Sequence, residues 1–89
     1  MGKNKHPLEV PGYEGRLDEL VDFIVGKLRY DRTLEFHQLL SKRYQFESQR
    51  ELDIGHPKAA EILLDISLAE EQTTEMLGQL WVICEPRTE

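Results

Sequence analysis

The chain has three histidines, and none stands at a spacing that a metal site needs. Zinc sites typically use two histidines four residues apart on a helix, or a Cys-x-x-Cys pair. His6, His37 and His56 are far apart, and Glu35 lies only two residues before His37, so on a helix these two side chains diverge. The Glu-x-x-His pattern of di-iron bundles does not occur. We therefore predict no metal and no cofactor, and a surface or local structural role for each histidine.

Two pairs of carboxylates are the next candidates for chemistry: Glu61 with Asp65, and Glu71 with Glu75. Acid–base catalysis needs a desolvated pocket that separates the two pKa values, and these residues lie off the apolar side of their predicted helix. We expect a solvated face, with a basic partner as the alternative. The single cysteine, Cys84, comes at the predicted end of a helix beside a carboxylate, where a thiol is not activated.

No serine stands in a nucleophile elbow or a Ser-x-x-Lys context, and the glycines are too isolated to form a phosphate loop. The sequence therefore predicts a protein that is not an enzyme. One alternative stays open, namely a ligand-binding or enzymatic bundle whose pocket is completed only in an oligomer.

Helical periodicity marks the elements that must position these residues. Apolar residues three or four apart predict helices over 16–30, 32–52 and 57–84. The fold class is therefore all-α, either a small three-helix bundle or a long bent helix with a second antiparallel helix. Residues 1–15 are predicted to be a loose N-terminal arm, 16–85 the helical domain and 86–89 a short tail.

The end of the second helix is clearly marked, whereas the end of the first is not. Gly55 and Pro57 are typical of a helix end followed by a new helix start. Between residues 28 and 34 there is no strong helix breaker, but the phase of the apolar stripe changes. A turn near Asp31, with Asp31 or Thr33 as the helix cap, explains this change, and a continuous bent helix is the alternative.

The third predicted helix has the most regular pattern in the chain. Its apolar residues alternate in steps of three and four, which is a heptad seam over almost four heptads: Ala59, Ile62, Ile66, Ala69, Thr73, Met76, Leu80 and Ile83. At 1.5 Å per residue this helix is about 40 Å long, too long for the first helix alone to cover. The seam favours a homodimer, with Ile66, Met76 and Leu80 as self-association residues.

Charge is unevenly distributed along the chain. Residues 27–50 carry six basic and three acidic side chains, whereas residues 51–89 carry two basic and nine acidic ones. These segments are expected to lie side by side, in one chain or across a dimer. The alternative is that Arg43 and Arg50 meet an acidic partner. Because aromatic residues are interleaved with these charges, a nucleic-acid-binding regulator is a further alternative.

Trp81 lies on the flank of the seam. Its expected role is to cover the end of the bundle, and the alternative is an aromatic anchor for a binding partner.

The length, net charge and hydropathy of the chain narrow the class of protein. Eighty-nine residues form one domain, and a net charge of −6 disfavours broad nucleic-acid binding. No stretch approaches the roughly 18 apolar residues of a membrane span, so a cytoplasmic protein without a membrane partner is expected. We predict a small helical protein–protein interaction or regulatory module that self-associates through its C-terminal helix.

Overall fold

The computed structural model describes residues 10–84, which form three α-helices joined by short turns. Helix α1 comprises Leu17–Gly26, α2 comprises Tyr30–Asp53 and α3 comprises Pro57–Cys84. No β-strand occurs within this described range, and the predicted all-α, three-helix fold is confirmed. The first nine residues of the predicted arm and the predicted tail at 86–89 lie outside the described residues.

Helix α1 ends four residues earlier than the periodicity predicts, at Gly26. Beyond it, the backbone N–H of Leu28 donates to the carbonyl of Phe23, which ends the regular helical ladder. The hydroxyl of Thr33 donates to the carbonyl of Ile24 across 2.8 Å. This bond satisfies one of the carbonyl groups that a helix end leaves unpaired.

The turn between α1 and α2 lies at residues 27–29, just ahead of its predicted position at Asp31. The chain therefore has two helices here and no continuous bent helix. The predicted cap was wrong, because the residue at the N-cap is Arg29, whose backbone is extended with ψ of 144°. Asp31 instead accepts two hydrogen bonds from the Arg29 guanidinium, and Thr33 reaches back to α1.

Helix α1 is weakly attached to the rest of the molecule. It contacts α2 near the turn that joins them, and none of its ten residues is buried. Leu17 and Val21, two residues of its apolar stripe, are more than half exposed. A helix of this length is marginal in water on its own, so its stability depends on the few contacts around Thr33.

The turn between α2 and α3 forms where the sequence predicts it. Gly55 has a φ of 90°, the left-handed region that favours glycine, and Pro57 is the first residue of α3. The N–H of His56 donates to the carbonyl of Glu51, and the two side chains meet at 2.7 Å. Helices α2 and α3 therefore form a tight antiparallel hairpin.

The residues that the hairpin buries are small and mostly polar. Ser41, Ala60 and Ser67 are almost fully buried. The Ser41 hydroxyl donates to the carbonyl of Ser67 across 3.1 Å, and the Ser48 hydroxyl donates to the carbonyl of Ala60 across 2.7 Å. Small side chains let the two helices approach closely, and the bonds to carbonyls satisfy the buried hydroxyls.

The molecule is a single layer of helices. Its principal extents are 48 × 30 × 14 Å, so the molecule is flat, and within the described residues α1 contacts α2 but not α3. A hydrophobic core normally lies between two packed layers. In the described part of the chain Ala60 is the one buried hydrophobic residue, so these helices do not enclose a hydrophobic core between two layers.

None of the helices in the described range combines the length and the apolar character that crossing a membrane requires.

Candidate functional site

The hairpin has two faces, one on each side of the row of residues where α2 and α3 touch. On α2 this row includes His37, Ser41 and Ser48, and on α3 it includes Ala60, Ser67 and Glu70. Each residue on a helix is rotated by about 100° from the one before it. In an antiparallel pair, the residues that precede the contact row on both helices therefore lie on the same side, and the residues that follow it lie on the other.

The side that precedes the contact row is largely apolar, and we name its residues the apolar face: Phe36, Leu40, Ala59, Ile62, Ile66, Thr73, Leu77 and Leu80. Phe36 and Ile66 are each 37% exposed and Ile62 is 59% exposed, while Leu40, Leu77 and Leu80 are half-buried. Helix α1 does not cover this face, because it contacts only the start of α2. The same side of α2 also carries Glu47, which binds Arg43, and the described residues leave this largely apolar surface open to water.

The opposite side, which we name the polar face, has a different chemistry. A shallow groove of about 340 Å³ runs along it, lined by Gln38, Ser41, Lys42, Gln45, Glu71 and Thr74. The Gln45 amide donates to Glu71 across 3.1 Å and so links the two helices. The leucines on this side, Leu64 and Leu68, are about half exposed. Because the lining of this groove is mostly polar, we expect the polar face to be better solvated than the apolar face.

The predicted heptad seam of α3 lies on the apolar face, not against α2. Each seam residue from Ala59 to Ile66 precedes by one the residue that contacts α2, such as Ala60 or Ser67. The periodicity therefore marks a surface of α3 that is distinct from its contact with α2. Of the predicted self-association residues, Ile66 and Leu80 lie on the apolar face. Met76 is 60% exposed at the outer margin of α3.

The predicted partner residues Arg43 and Arg50 both bind one carboxylate, that of Glu47. Arg43 contacts it at 2.6 Å and Arg50 at 3.4 Å. The Arg43 guanidinium also lies 4.8 Å from the ring centre of Phe46, which is cation–π distance. Glu47 is therefore shared by two cations, and the pairing of Arg43 with Glu47 that their spacing allows is present.

The basic residues of α2 pair within their own helix. Arg32 contacts Glu35 at 3.4 Å, just as Arg43 contacts Glu47. The basic and acidic segments do lie side by side, since α2 packs on α3. Within the described residues, the carboxylates of α3 that α2 contacts are met by His37 and Gln45 and not by an arginine.

Trp81 is half-buried at the end of the hairpin, beneath the turn that joins α1 to α2. The Arg29 guanidinium lies over its ring at 5.5 Å. Asp31 binds Arg29 at 2.6 Å, and the hydrogen bonds from Arg29 hold the pKa of Asp31 below its usual value. The same contact raises the pKa of Arg29. Trp81 thus connects the end of α3 to the α1–α2 turn.

Sequence reasoning missed the contact between His37 and Glu70. The imidazole Nδ1 lies 2.5 Å from the Glu70 carboxylate, and both side chains are about four-fifths buried in the hairpin. The two residues are far apart in the chain, so spacing within one helix gives no signal for the pair. The signal that was available is weaker: both residues lie on the side of their own helix that carries the small residues Ser41 and Ser67.

The remaining candidates for chemistry stay apart. Glu61, Asp65, Glu71 and Glu75 are all exposed, as a solvated face predicts. Cys84 is a free thiol, half-buried at the last residue of α3. Over residues 10–84, no group of three or more His, Cys, Asp or Glu side chains is arranged to hold a metal ion.

Comparison with known proteins gives no relative for this chain. No protein-family model matches it, and neither the curated proteins nor the solved structures provide a significant match.

Proposed function

We propose that this chain is a protein–protein interaction module without catalytic activity, and that it self-associates through the apolar face of its α2–α3 hairpin. α3 contributes most of this face, including Ile66 and Leu80. The observation that carries the proposal is the single layer of helices, 14 Å thick, with a row of large apolar side chains on one side.

The overall dimensions support a missing second layer. The radius of gyration is 15.9 Å, whereas a compact chain of this length has about 12 Å. The accessible surface of the chain is 7379 Å², whereas a compact monomer of this mass exposes roughly 5400 Å². A chain that packs against another protein is expected to expose such an excess of surface while it is unbound.

The composition of the apolar face also supports association. Large exposed patches of apolar side chains are typical of surfaces that bind other proteins. The two faces of the hairpin differ in this respect, because the polar face carries Gln38, Lys42, Gln45 and Glu71 beside its leucines, and the Gln45 amide donates to Glu71. A partner that covers the apolar face removes Phe36, Ile62 and Ile66 from water without burying an unpaired charge.

The nucleic-acid alternative has less support in the geometry. A phosphate backbone needs many cationic side chains that can neutralise it, and the carboxylate of Glu47 offsets part of the charge of Arg43 and Arg50. The Arg43 guanidinium lies 4.8 Å from the ring centre of Phe46 and so already occupies one side of this exposed ring.

The test is the solution mass by light scattering on a sizing column, at several protein concentrations. We expect a mass near twice 10.4 kDa that falls towards the monomer on dilution. Ile66→Glu places a charge on the apolar face and should yield a monomer. Leu68→Glu is the matched control, since Leu68 is 49% exposed on the polar face of the same helix.

Two outcomes would contradict the proposed function. One is a mass of 10.4 kDa at every concentration, unchanged by Ile66→Glu. The other is an equal loss of mass in both variants, which would place the association elsewhere. Circular dichroism on each variant shows whether it keeps its helices.

A further inference from the structure

We infer that the partner is a second copy stacked apolar face to apolar face, so that α2 of each copy lies on α3 of the other in an antiparallel four-helix bundle. This rests on the proposed function and adds the arrangement of the two copies. It also identifies an ion pair between Arg43 of one copy and Asp65 of the other, once on each edge of the interface.

Two identical hairpins can stack about a two-fold axis in two ways. If the axis crosses the helices, α2 lies on α2 and α3 on α3. If the axis runs parallel to the helices, α2 lies on α3 of the second copy, and each residue keeps its height along the bundle. In both arrangements neighbouring helices are antiparallel, as in common four-helix bundles, so charge has to distinguish them.

Hydrogen bonds within the hairpin fix which residues share a height. Ser41 is level with Ser67, and Ser48 is level with Ala60. Arg43 follows Ser41 by two residues, and Asp65 precedes Ser67 by two residues on the antiparallel helix. Arg43 and Asp65 are therefore level, and an axis parallel to the helices brings Arg43 of one copy level with Asp65 of the other.

Both side chains lie at the edge where they can meet. Arg43 lies two residues after Ser41 and five before Ser48, which at about 100° per residue places it at the outer edge of α2, on the side of the apolar face, with its side chain 66% exposed. Asp65 is exposed on the side of α3 turned away from α2. Once α3 lies beneath α2 of the other copy, this outer side of α3 and the Arg43 side chain share one edge of the bundle.

The other arrangement places like charges together. With α2 on α2, the exposed arginines of one copy lie alongside those of the other, and with α3 on α3 the same holds for Asp65. Like charges at an interface oppose association, whereas complementary charges set its register. The charges therefore favour α2 on α3.

The apolar face has the size that a stable dimer needs. α3 has 28 residues, so the hairpin is about 40 Å long at 1.5 Å per residue. Two helices with axes 8–10 Å apart span a width of about 20 Å. Their product is about 800 Å² for each copy, which is the standard area of a specific protein–protein interface.

The test measures dimer dissociation constants by analytical ultracentrifugation for Arg43→Glu, for Asp65→Arg and for their equimolar mixture. Each variant alone faces like charges at both edges, and we expect its dissociation constant to rise about tenfold. In the mixed dimer one edge pairs Glu with Arg and the other keeps the native pair, so the mixture should dimerise as tightly as the unmodified chain.

Controls distinguish the loss of this ion pair from a change of net charge and from a loss of stability within one chain. Lys42→Glu and Glu71→Arg make the same charge changes on the polar face and should leave the dissociation constant unchanged. Arg43→Glu also removes a contact with Glu47 inside α2, but a loss within one chain is not restored by mixing.

The outcomes distinguish the arrangement from the proposed function. Single variants that dimerise as tightly as the unmodified chain, or a mixture no tighter than its components, would overturn the stacking of α2 on α3. Ile66→Glu would still give a monomer in that case, and the proposed function would stand. An unmodified chain that is monomeric throughout would overturn both.

Discussion

The hydroxyl of Ser41 donates a hydrogen bond to the backbone carbonyl of Ser67 across 3.1 Å, and both residues are buried between α2 and α3. Ser67 has no exposed surface, so a larger side chain there has to push the helices apart. We expect Ser67→Leu to lower the free energy of unfolding by about 1–3 kcal/mol, measured by urea denaturation. Leu68→Ala, at the next and half-exposed position, should change it by less than about 1 kcal/mol. Equal losses would show that close approach at Ser67 is unimportant.

The glycines at two helix ends should respond in opposite directions to alanine. Gly55 has a φ of +90°, which a side chain resists, so Gly55→Ala should destabilise the fold by about 1 kcal/mol. Gly26 has ordinary helical geometry with open space around it, so Gly26→Ala should stabilise α1 by roughly 0.5–1 kcal/mol. Thermal unfolding of both variants tests this prediction, and a loss of stability in Gly26→Ala would contradict it.

The contact between His37 and Glu70 should couple the two helices energetically. A double-mutant cycle with His37→Gln and Glu70→Gln is expected to give a coupling of roughly 0.5–3 kcal/mol, as partners in one hydrogen bond usually do. His56 with Glu51 is the matched control, because that exposed pair joins neighbouring residues of one turn; we expect its coupling to be within about 1 kcal/mol of zero. Additive effects at His37 and Glu70 would mean that their contact contributes nothing.

The ion pair over Trp81 should give acid sensitivity. The Arg29 guanidinium holds the pKa of Asp31 below its ordinary value of 3.8. A lowered pKa in the folded chain means that the ionised carboxylate stabilises the fold above pH 3.8, and that this contribution is lost as the pH falls through the lowered pKa. Asp31→Asn should therefore be less stable than the unmodified chain at about pH 6 and match it near about pH 2.

Fluorescence offers a local readout of the same contact, because the chain contains a single tryptophan. Asp31→Asn frees Arg29 from its partner, so the emission of Trp81 should shift at neutral pH. Asp18→Asn, which removes the partner of Arg16 at the far end of α1, should leave the emission unchanged. A shift in both variants would indicate a general change of fold.

Sequence patterns predicted the helices well, because helix ends depend on local chemistry. Gly55 and Pro57 stop and restart the chain, and the structure follows them. The end of α1 was harder to predict, since it depends on a bond from Thr33 back to Ile24, which no local rule anticipates.

The internal contact of the hairpin was hidden from periodicity for a different reason. A search for apolar spacing finds Ile62, Ile66 and Leu80, whereas the helices actually meet through Ser41, Ser67 and Ala60. Serine and alanine carry little hydrophobic signal, and their value here is their small size. The apolar pattern of α3 therefore lies on a face turned away from the contact with α2, and the periodicity of one helix alone could not show which of its faces meets the other helix. The role of this face in self-association stays a prediction.

The 14 Å thickness of the single layer has a consequence for how the cell could control this protein. If half of the core is supplied by a second copy, each chain becomes fully protected only when it meets another. Below the dissociation constant, chains with an open apolar face are substrates for chaperones and proteases, whereas above it they persist. The rate of synthesis would then set a threshold. Chains made slowly would be degraded before they pair, whereas chains made quickly would pair and persist.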